Sequence, residues 1–368
     1  MSGFSRDPAG EATMSKRTTE AGRVLLTGGC GFIGSHLVER LIAEGYAVLN
    51  LDLLTYAGNP ENVASVEAHP AYRFVQADIC DGAAFGALLA EWHPDVVFNL
   101  AAESHVDRSI DDAAPFLSTN ILGVHALLEA SLAHWRTLGA DAQAAFRFIQ
   151  MSTDEVYGSI AEGEFTEASS YQPNSPYAAS KAAGDHLTRA YQVTFGLPTL
   201  IVHASNTYGP RQYPEKMIPH MITCALNDRA LPVYGQGMQV RDWMYVEDLA
   251  GGLARVVAQG RPSAIYNFSG GQERQNIDTV RGICRLLDRL APGEQPREAA
   301  IVFVTDRPGH DFRYAMSHAR VSTELGWTPQ TGFAEGLERT VGWYLEHLDW
   351  IEQVQGRGYR QERIGRGR

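Results

Sequence analysis

The sequence predicts an α/β fold: a doubly wound parallel Rossmann-type sheet with a smaller, mixed α/β C-terminal substrate lobe. Three observations carry that expectation. Short apolar runs alternate with helix-like segments from Arg23 to Ser205, the pattern of a parallel sheet with helices on both faces. A glycine turn, Gly28-Gly-Cys-Gly-Phe-Ile-Gly34, joins the first run to the first helix. The residues able to do chemistry fall mostly at the C-terminal ends of the runs, where such sheets bind ligands.

Arg23–Thr27 reads as a buried strand, and the helix after the glycine turn reaches about Glu44. Tyr46–Asp52 and Tyr72–Asp78 read as the second and third strands, with a helix over about Ala83–Trp92. Asp95–Leu100 is the fourth strand, and a long helix follows over about Pro115–Trp135. Phe146–Met151 is the fifth strand. A helix over about Tyr177–Phe195 then leads to a strand at Thr199–His203. After Ser205 loops rich in Pro and Tyr alternate with short elements such as Leu231–Tyr234 and a helix over about Asp278–Leu290. The expected division is an NAD-binding domain over 23–205, with 240–275 returning to it, and a nucleotide-sugar lobe from 206–239 and 276–350. Residues 1–22 read as a disordered extension, with Met14 as a candidate start, and 351–368 as a basic, flexible tail.

Composition limits the function. The chain of 368 residues carries a net charge of −12, which argues against nucleic acid as a partner. The 4 cysteines, Cys30, Cys80, Cys224 and Cys284, are far apart without metal-type spacing, so they read as reduced cytoplasmic thiols and no metal is expected. No apolar run reads as long enough to span a membrane, and the polar N-terminus lacks a signal-peptide core.

Gly29-Cys-Gly-Phe-Ile-Gly34 fits the dinucleotide pattern, in which small residues admit a pyrophosphate to a helix N-terminus. Asp52 ends the second strand, where a carboxylate accepts hydrogen bonds from a ribose diol and repels a 2′-phosphate, favouring NAD over NADP. Asp78, followed by Ile79, reads either as a contact to the adenine amino group or as a helix cap. The small residues in Leu100-Ala101-Ala102 leave space for cofactor, Ser104 reads as a substrate contact, and His105 reads as structural.

Tyr177 and Lys181 stand four apart on one helix and so share a face; an ammonium beside a phenol favours the phenolate, which takes a proton from an alcohol. An alcohol oxidation does not need the two acids in Ser152-Thr153-Asp154-Glu155-Val156-Tyr157-Gly158. Their presence points to a second reaction, loss of water, built onto the oxidation.

With these motifs assembled, the chain resembles the extended short-chain dehydrogenase/reductases, and within them the dTDP-glucose 4,6-dehydratases, over Arg23 to Trp350. The resemblance also rests on Asp52-Leu-Leu-Thr-Tyr-Ala-Gly-Asn59, Ala101-Ala-Glu-Ser-His-Val-Asp107, Ser205-Asn-Thr-Tyr-Gly-Pro210, Pro214-Glu-Lys216, Arg241-Asp-Trp243 and Asp306-Arg-Pro-Gly-His310. It implies that Tyr177 takes the sugar C4 hydroxyl proton while NAD takes the hydride, with Thr153 on the same oxygen and Lys181 behind the phenol. It implies Glu155 as the base at C5, Asp154 as the acid at the C6 hydroxyl, and a dTDP-4-keto-6-deoxy-glucose product. Cofactor contacts implied are Gly28, Gly31, Phe32, Ile33, Gly34, Asp52, Leu53, Leu54, Thr55, Asp78, Ile79, Leu100, Ala101, Ala102, Ser104, Thr119, Tyr177, Lys181 and Thr207. Substrate contacts implied are Ser104, Thr153, Asn206, Lys216, Met217, Pro232, Val233, Tyr234, Arg241, Asn276, Arg307 and His310. Arg241 is the expected diphosphate clamp, since guanidinium grips phosphate in a fork. The chain departs from the family's pattern at Cys30, usually Ala, and at Thr207, where a second Asn is common. A homodimer built on the two long helices is also implied.

The competing expectations are a UDP-glucose 4-epimerase-like enzyme, which normally lacks the acid pair, and a GDP-mannose dehydratase, which Asp52 argues against. A non-catalytic NAD-binding regulator would tend to lose Tyr177 or Lys181.

Overall fold

The structure is a computed structural model, described here for residues 22–356. The first half runs β1 (Arg23–Thr27), α1 (Phe32–Ala43), β2 (Ala47–Asp52), β3 (Tyr72–Gln76), α2 (Gly82–Trp92), β4 (Val96–Asn99), α3 (Val106–Asp111), α4 (Ala114–Leu117), α5 (Val124–Thr137), α6 (Ala140–Ala145) and β5 (Arg147–Thr153). The second half runs α7 (Pro176–Phe195), β6 (Thr199–Ala204), β7 (Asn206–Tyr208), α8 (Met217–Leu226), β8 (Leu231–Tyr234), β9 (Val240–Tyr245), α9 (Val246–Gln259) and β10 (Ile265–Phe268). It ends in β11 (Glu273–Gln275), α10 (Asn276–Leu290), β12 (Ile301–Val304), α11 (Ala319–Leu325), α12 (Phe333–Glu346) and α13 (Leu348–Gly356).

Seven strands form one parallel sheet in the order β10-β6-β5-β4-β1-β2-β3. Strand alternation sends Val24 and Leu26 of β1 to one face and Leu25 to the other. The first face packs under Leu37, Val38 and Leu41 of α1 and Leu249 and Leu253 of α9. The second packs under Phe85 and Leu89 of α2 and Leu127, Leu128 and Leu132 of α5. Chain order reverses between β1 and β4, so the crevice between their C-terminal ends is the place for a ligand.

The smaller lobe holds a three-stranded sheet, β11-β9-β7, and a parallel pair, β12-β8. Its core gathers Ile222 of α8, Ile283 and Leu287 of α10, Val341 and Tyr344 of α12, and Trp350 of α13.

Four features differ from the sequence reading. Of the stretch 240–275, α9 and β10 return to the main sheet, whereas β9 and β11 pair with the lobe strand β7 or with each other. Within 276–350, Val321 and Leu325 of α11 and Trp327 pack into the core under the main sheet, because Trp327 stacks edge-on to Phe268 of β10. The tail does not begin at 351: α13 buries Ile351 and Val354 in the lobe core, and only the part beyond Gly356 lies outside the described residues. The proposed extension lies there too, apart from Gly22. Finally, α4, a π turn at Ser118–Gly123 and α5 join into one helix, Ala114–Thr137, that is long and apolar enough to cross a membrane. Ser118, Thr119 and Asn120 hide that length from a search for an unbroken apolar run. In the fold this helix packs against α2 and α7.

Candidate active site

At the switch point the glycine turn and the loop after β4 nearly touch. Gly28 has φ 74°, and a Cβ on it would lie 2.8 Å from the Ala101 nitrogen. A Cβ on Gly34 would lie 2.1 Å from the Gly28 carbonyl oxygen, so the turn can close only with glycine there. The N-terminus of α1 has no side-chain cap and no acid in its first turn. Its free amides and dipole form a ready site for an anion such as a pyrophosphate. Asp52 is buried at the end of β2 and accepts from the Cys30 amide (2.9 Å) and the Leu54 amide (2.8 Å). Those bonds fix the carboxylate beside the glycine turn, and Leu54 takes φ 58° to reach it. The chain present therefore fits a dinucleotide. Asp78 is exposed and accepts from the Cys80 amide (2.9 Å) within its own turn, whereas Asp81 caps α2, so Asp78 is not the helix cap that one sequence reading made it. Thr207 spends its hydroxyl on the Ser205 carbonyl (3.1 Å).

β5 runs two residues further than the sequence suggests and carries Ser152 and Thr153 inside the sheet. Asp154–Tyr157 then forms a 3-10 turn. The Thr153 hydroxyl donates to Asp154 Oδ1 (3.1 Å) and accepts from the Glu155 amide (3.3 Å). Asp154 Oδ2 is buried without a hydrogen-bond partner among the described residues. Burial, reinforced by the Glu155 charge, raises the Asp154 carboxyl well above the ordinary range; Arg241 opposes this weakly. Burial also raises Glu155, but Arg307, Lys216 and Arg241 all pull it back. Two neighbouring acids thus have different surroundings: one sealed, one facing three cations.

Tyr177 and Lys181 lie buried on α7, as the four-residue spacing requires. The phenol is not lowered as expected from its lysine. Burial and then the Glu155 charge raise it, with a Thr153 hydrogen bond opposing, while Lys181 Nζ donates to the Met151 carbonyl (2.6 Å).

Beyond Glu155 opens a cavity of about 270 Å³, lined by Asn206, Lys216, Met217, Pro232, Val233, Tyr234, Arg241, Asn276, Arg307 and His310 among others. The structure therefore gathers ten residues that the sequence placed at the substrate. The amide oxygens of Asn206 and Asn276 are buried there without hydrogen-bond partners among the described residues, as is Arg307 Nε. Polar atoms left this way await a polar ligand. Arg241 is held by the Val240 (2.7 Å) and Asp311 (2.9 Å) carbonyls and sits 4.4 Å over the Tyr314 ring, so its fork is fixed. Thr153, Asp154, Tyr177 and Lys181 do not line this cavity; Glu155 joins them to it. Ser104 does not line it either; its carbonyl accepts from Lys216 Nζ (2.6 Å).

Comparisons with known proteins show the family. Residues 25–340 match the family model described as GDP-mannose 4,6 dehydratase. A protein of Xanthomonas campestris pv. campestris (strain B100) named dTDP-glucose 4,6-dehydratase is 51% identical over 344 residues, 93% of this chain and 98% of that one. The chain belongs to the dTDP-glucose 4,6-dehydratase family. The crystal structure of the dTDP-glucose 4,6-dehydratase DesIV from Streptomyces venezuelae, with NAD and TYD bound, is similar with TM-score 0.82 and 44% identity, over 90% of this chain and 99% of that one. The dTDP-glucose 4,6-dehydratase of Bacillus anthracis str. Ames in complex with NAD is similar with TM-score 0.80 and 39% identity, over 91% and 100% of the two chains.

Asp107, Glu215 and Tyr314, to which the sequence reading gave no role, also line the cavity, and so does His105, which is structural as expected in that it caps α3 by accepting from the Arg108 amide (3.3 Å). Asp107 accepts from Arg307 (3.1 Å) and from Tyr234 (2.8 Å), holding two substrate candidates together. Glu215 accepts from Tyr56 (3.1 Å) and lies 3.6 Å from Arg108. Asp107 and Glu215 stand inside motifs quoted above, which was the available signal. Tyr314 had none.

Proposed function

We propose that this protein converts dTDP-glucose to dTDP-4-keto-6-deoxy-glucose as an NAD-dependent hydro-lyase. The observation that carries this reading is the unequal Asp154–Glu155 pair, with Glu155 lining the cavity and Asp154 buried behind it. Bound NAD supplies an acceptor for the C4 hydride and a donor for its return to C6, so no reductant is consumed. Tyr177 takes the C4 hydroxyl proton, and the Thr153 hydroxyl steadies the same oxygen. The C4 ketone acidifies the C5 proton, which Glu155 removes. Asp154 gives its proton to the departing C6 hydroxyl, which leaves as water; as hydride returns to C6, the proton held by Glu155 goes back to C5. The raised Asp154 carboxyl suits a donor, and the cations around Glu155 suit an acceptor. Arg241 and Arg307 are assigned to the diphosphate, and Asn276, Met217, Pro232, Val233 and Tyr234 to the nucleoside.

Gly28, Gly31, Phe32, Ile33 and Gly34 are assigned to the pyrophosphate of NAD. Asp52 takes the adenosine ribose beside Leu53, Leu54 and Thr55, and Asp78 with Ile79 flanks the adenine. Leu100, Ala101, Ala102, Ser104, Thr119, Tyr177, Lys181 and Thr207 border the rest of the cofactor.

The test is to offer dTDP-glucose, UDP-glucose and GDP-mannose separately, without added reductant. An alkali-absorbing 4-keto product from dTDP-glucose supports the proposal. Turnover confined to GDP-mannose, or simple inversion at C4, rejects it.

The assembly is proposed to be a homodimer in the cytoplasm. Leu117 (48% exposed) and Leu122 (61%) on the Ala114–Thr137 helix, and Val193 (63%) and Phe195 (41%) on α7, leave apolar side chains outside the fold. Two such helices from each copy make a four-helix interface.

A further inference from the structure

We propose that Asp185 is a positioning residue that keeps Lys181 cationic beneath Tyr177, and that Ser152 and His203 hold Asp185 for that task. This rests on the reading that Lys181 supports the Tyr177 phenolate.

Tyr177, Lys181 and Asp185 occupy successive four-residue steps of α7 and share its buried face. Helical side chains lean toward the helix N-terminus, so Asp185 covers the turn of Lys181, and Lys181 the turn of Tyr177. Asp185 is 1% exposed. Its Oδ2 accepts from the Ser152 hydroxyl (2.7 Å) and lies 3.1 Å from His203 Nε2. The same histidine nitrogen lies 2.9 Å from the Tyr171 hydroxyl, and Nδ1 lies 3.0 Å from Asn267 Oδ1 and 3.1 Å from the Tyr157 hydroxyl. Asp185 Oδ1 has no hydrogen-bond partner among the described residues. A carboxylate buried this way is costly unless an opposite charge answers it.

That role falls to Lys181, one turn back on the same buried face of α7. Its ammonium is buried, and the hydrogen bond it makes goes to the neutral Met151 carbonyl, next to Ser152. Burial pushes Lys181 down to about 8, and Asp185 is the charge that opposes the fall. Other ionisable groups sit on the elements packed against α7: Asp154, Glu155 and Tyr157 on the turn after β5, and His203 on β6. Asp107 and Arg108 come from α3, and His125 and Glu129 from α5, where they bond Tyr191. Only a charged lysine can stabilise a phenolate by its field. Without Asp185 the ammonium loses its proton at lower pH, and Tyr177 loses its support.

The test reads C4 oxidation alone, as NADH absorbance in a single turnover with dTDP-glucose, from about pH 6 to about pH 9. In the wild-type protein the rate falls on the alkaline side as Lys181 deprotonates. In Asp185→Asn that limb moves toward acid by about one pH unit or more, so the loss is about tenfold near pH 8 and shrinks toward pH 6. Ser152→Ala, which removes the hydroxyl that holds Asp185, moves the limb in the same direction by less. It also carries the test if Asp185→Asn fails to fold. Adding Asp185→Asn to Lys181→Met changes the rate by less than about twofold, because the aspartate acts through the lysine. A uniform loss at every pH in Asp185→Asn, an unmoved limb in Ser152→Ala, or a double variant well below Lys181→Met overturns the proposal. Wild-type oxidation by Lys181→Met would instead refute the underlying reading of Lys181.

Discussion

The proposed chemistry is divided between two side chains that differ by one methylene and stand side by side. Asp154 is buried, with one oxygen unpaired among the described residues, whereas Glu155 lines the cavity under three cations. The signs give a bell-shaped pH dependence for water elimination. Glu155 is raised, so the base is lost as pH falls through its value; Asp154 is raised further, so the acid is lost as pH climbs through its own. Asp154→Asn should leave C4 oxidation within about tenfold of wild type and slow elimination by about 10²–10⁴-fold, with the Asp154-dependent alkaline limb gone, measured as product against pH. Arg241→Lys keeps the charge and loses the fork that the Val240 and Asp311 carbonyls hold in place. It should weaken substrate binding by about tenfold or more, seen as a rise in KM larger than the fall in kcat.

Among the elements, β1, its glycine turn and α1 were readable because local sequence decides them: an apolar run, obligatory glycines and a helix without a competing cap. Gly34→Ala places a methyl 2.1 Å from the Gly28 carbonyl and should weaken NAD binding by at least about tenfold, checked by NAD titration and by cofactor content after purification. The placement of the proposed catalytic pairs was readable for the same reason. Tyr177 and Lys181 share a helix face by spacing alone, and Asp154 and Glu155 are neighbours in sequence. Tyr314 and Asp107 were not, because each matters through partners far away in the chain: Tyr314 beneath Arg241, Asp107 across from Arg307 and Tyr234. The end of the second lobe was misread for a related reason. The segment after Trp350 is rich in polar residues, and only the packing of α13 shows that Ile351 and Val354 belong to a core.

At the scale of the molecule the two lobes are tied by contacts that no local pattern announces. Trp350 of α13 donates to Asn62 (2.9 Å), and Arg211 pairs with Glu39 of α1 (2.7 Å). Trp350→Ala should cost about 3–5 kcal/mol of stability, read as a lowered denaturant midpoint, because it empties a buried site and drops that bond. The proposed dimer makes its own prediction. Leu122→Glu puts a charge on the outward face of the Ala114–Thr137 helix and should shift the mass from dimer to monomer by light scattering at micromolar protein. A monomeric wild-type protein at that concentration would remove the four-helix interface. The central claim, oxidation followed by acid–base elimination in one site, is tested most directly by mixing Glu155→Gln with dTDP-glucose and following NADH absorbance and product together. The account predicts that bound NADH builds up and that water is lost very slowly. Elimination at the wild-type rate, with no NADH build-up, would contradict it.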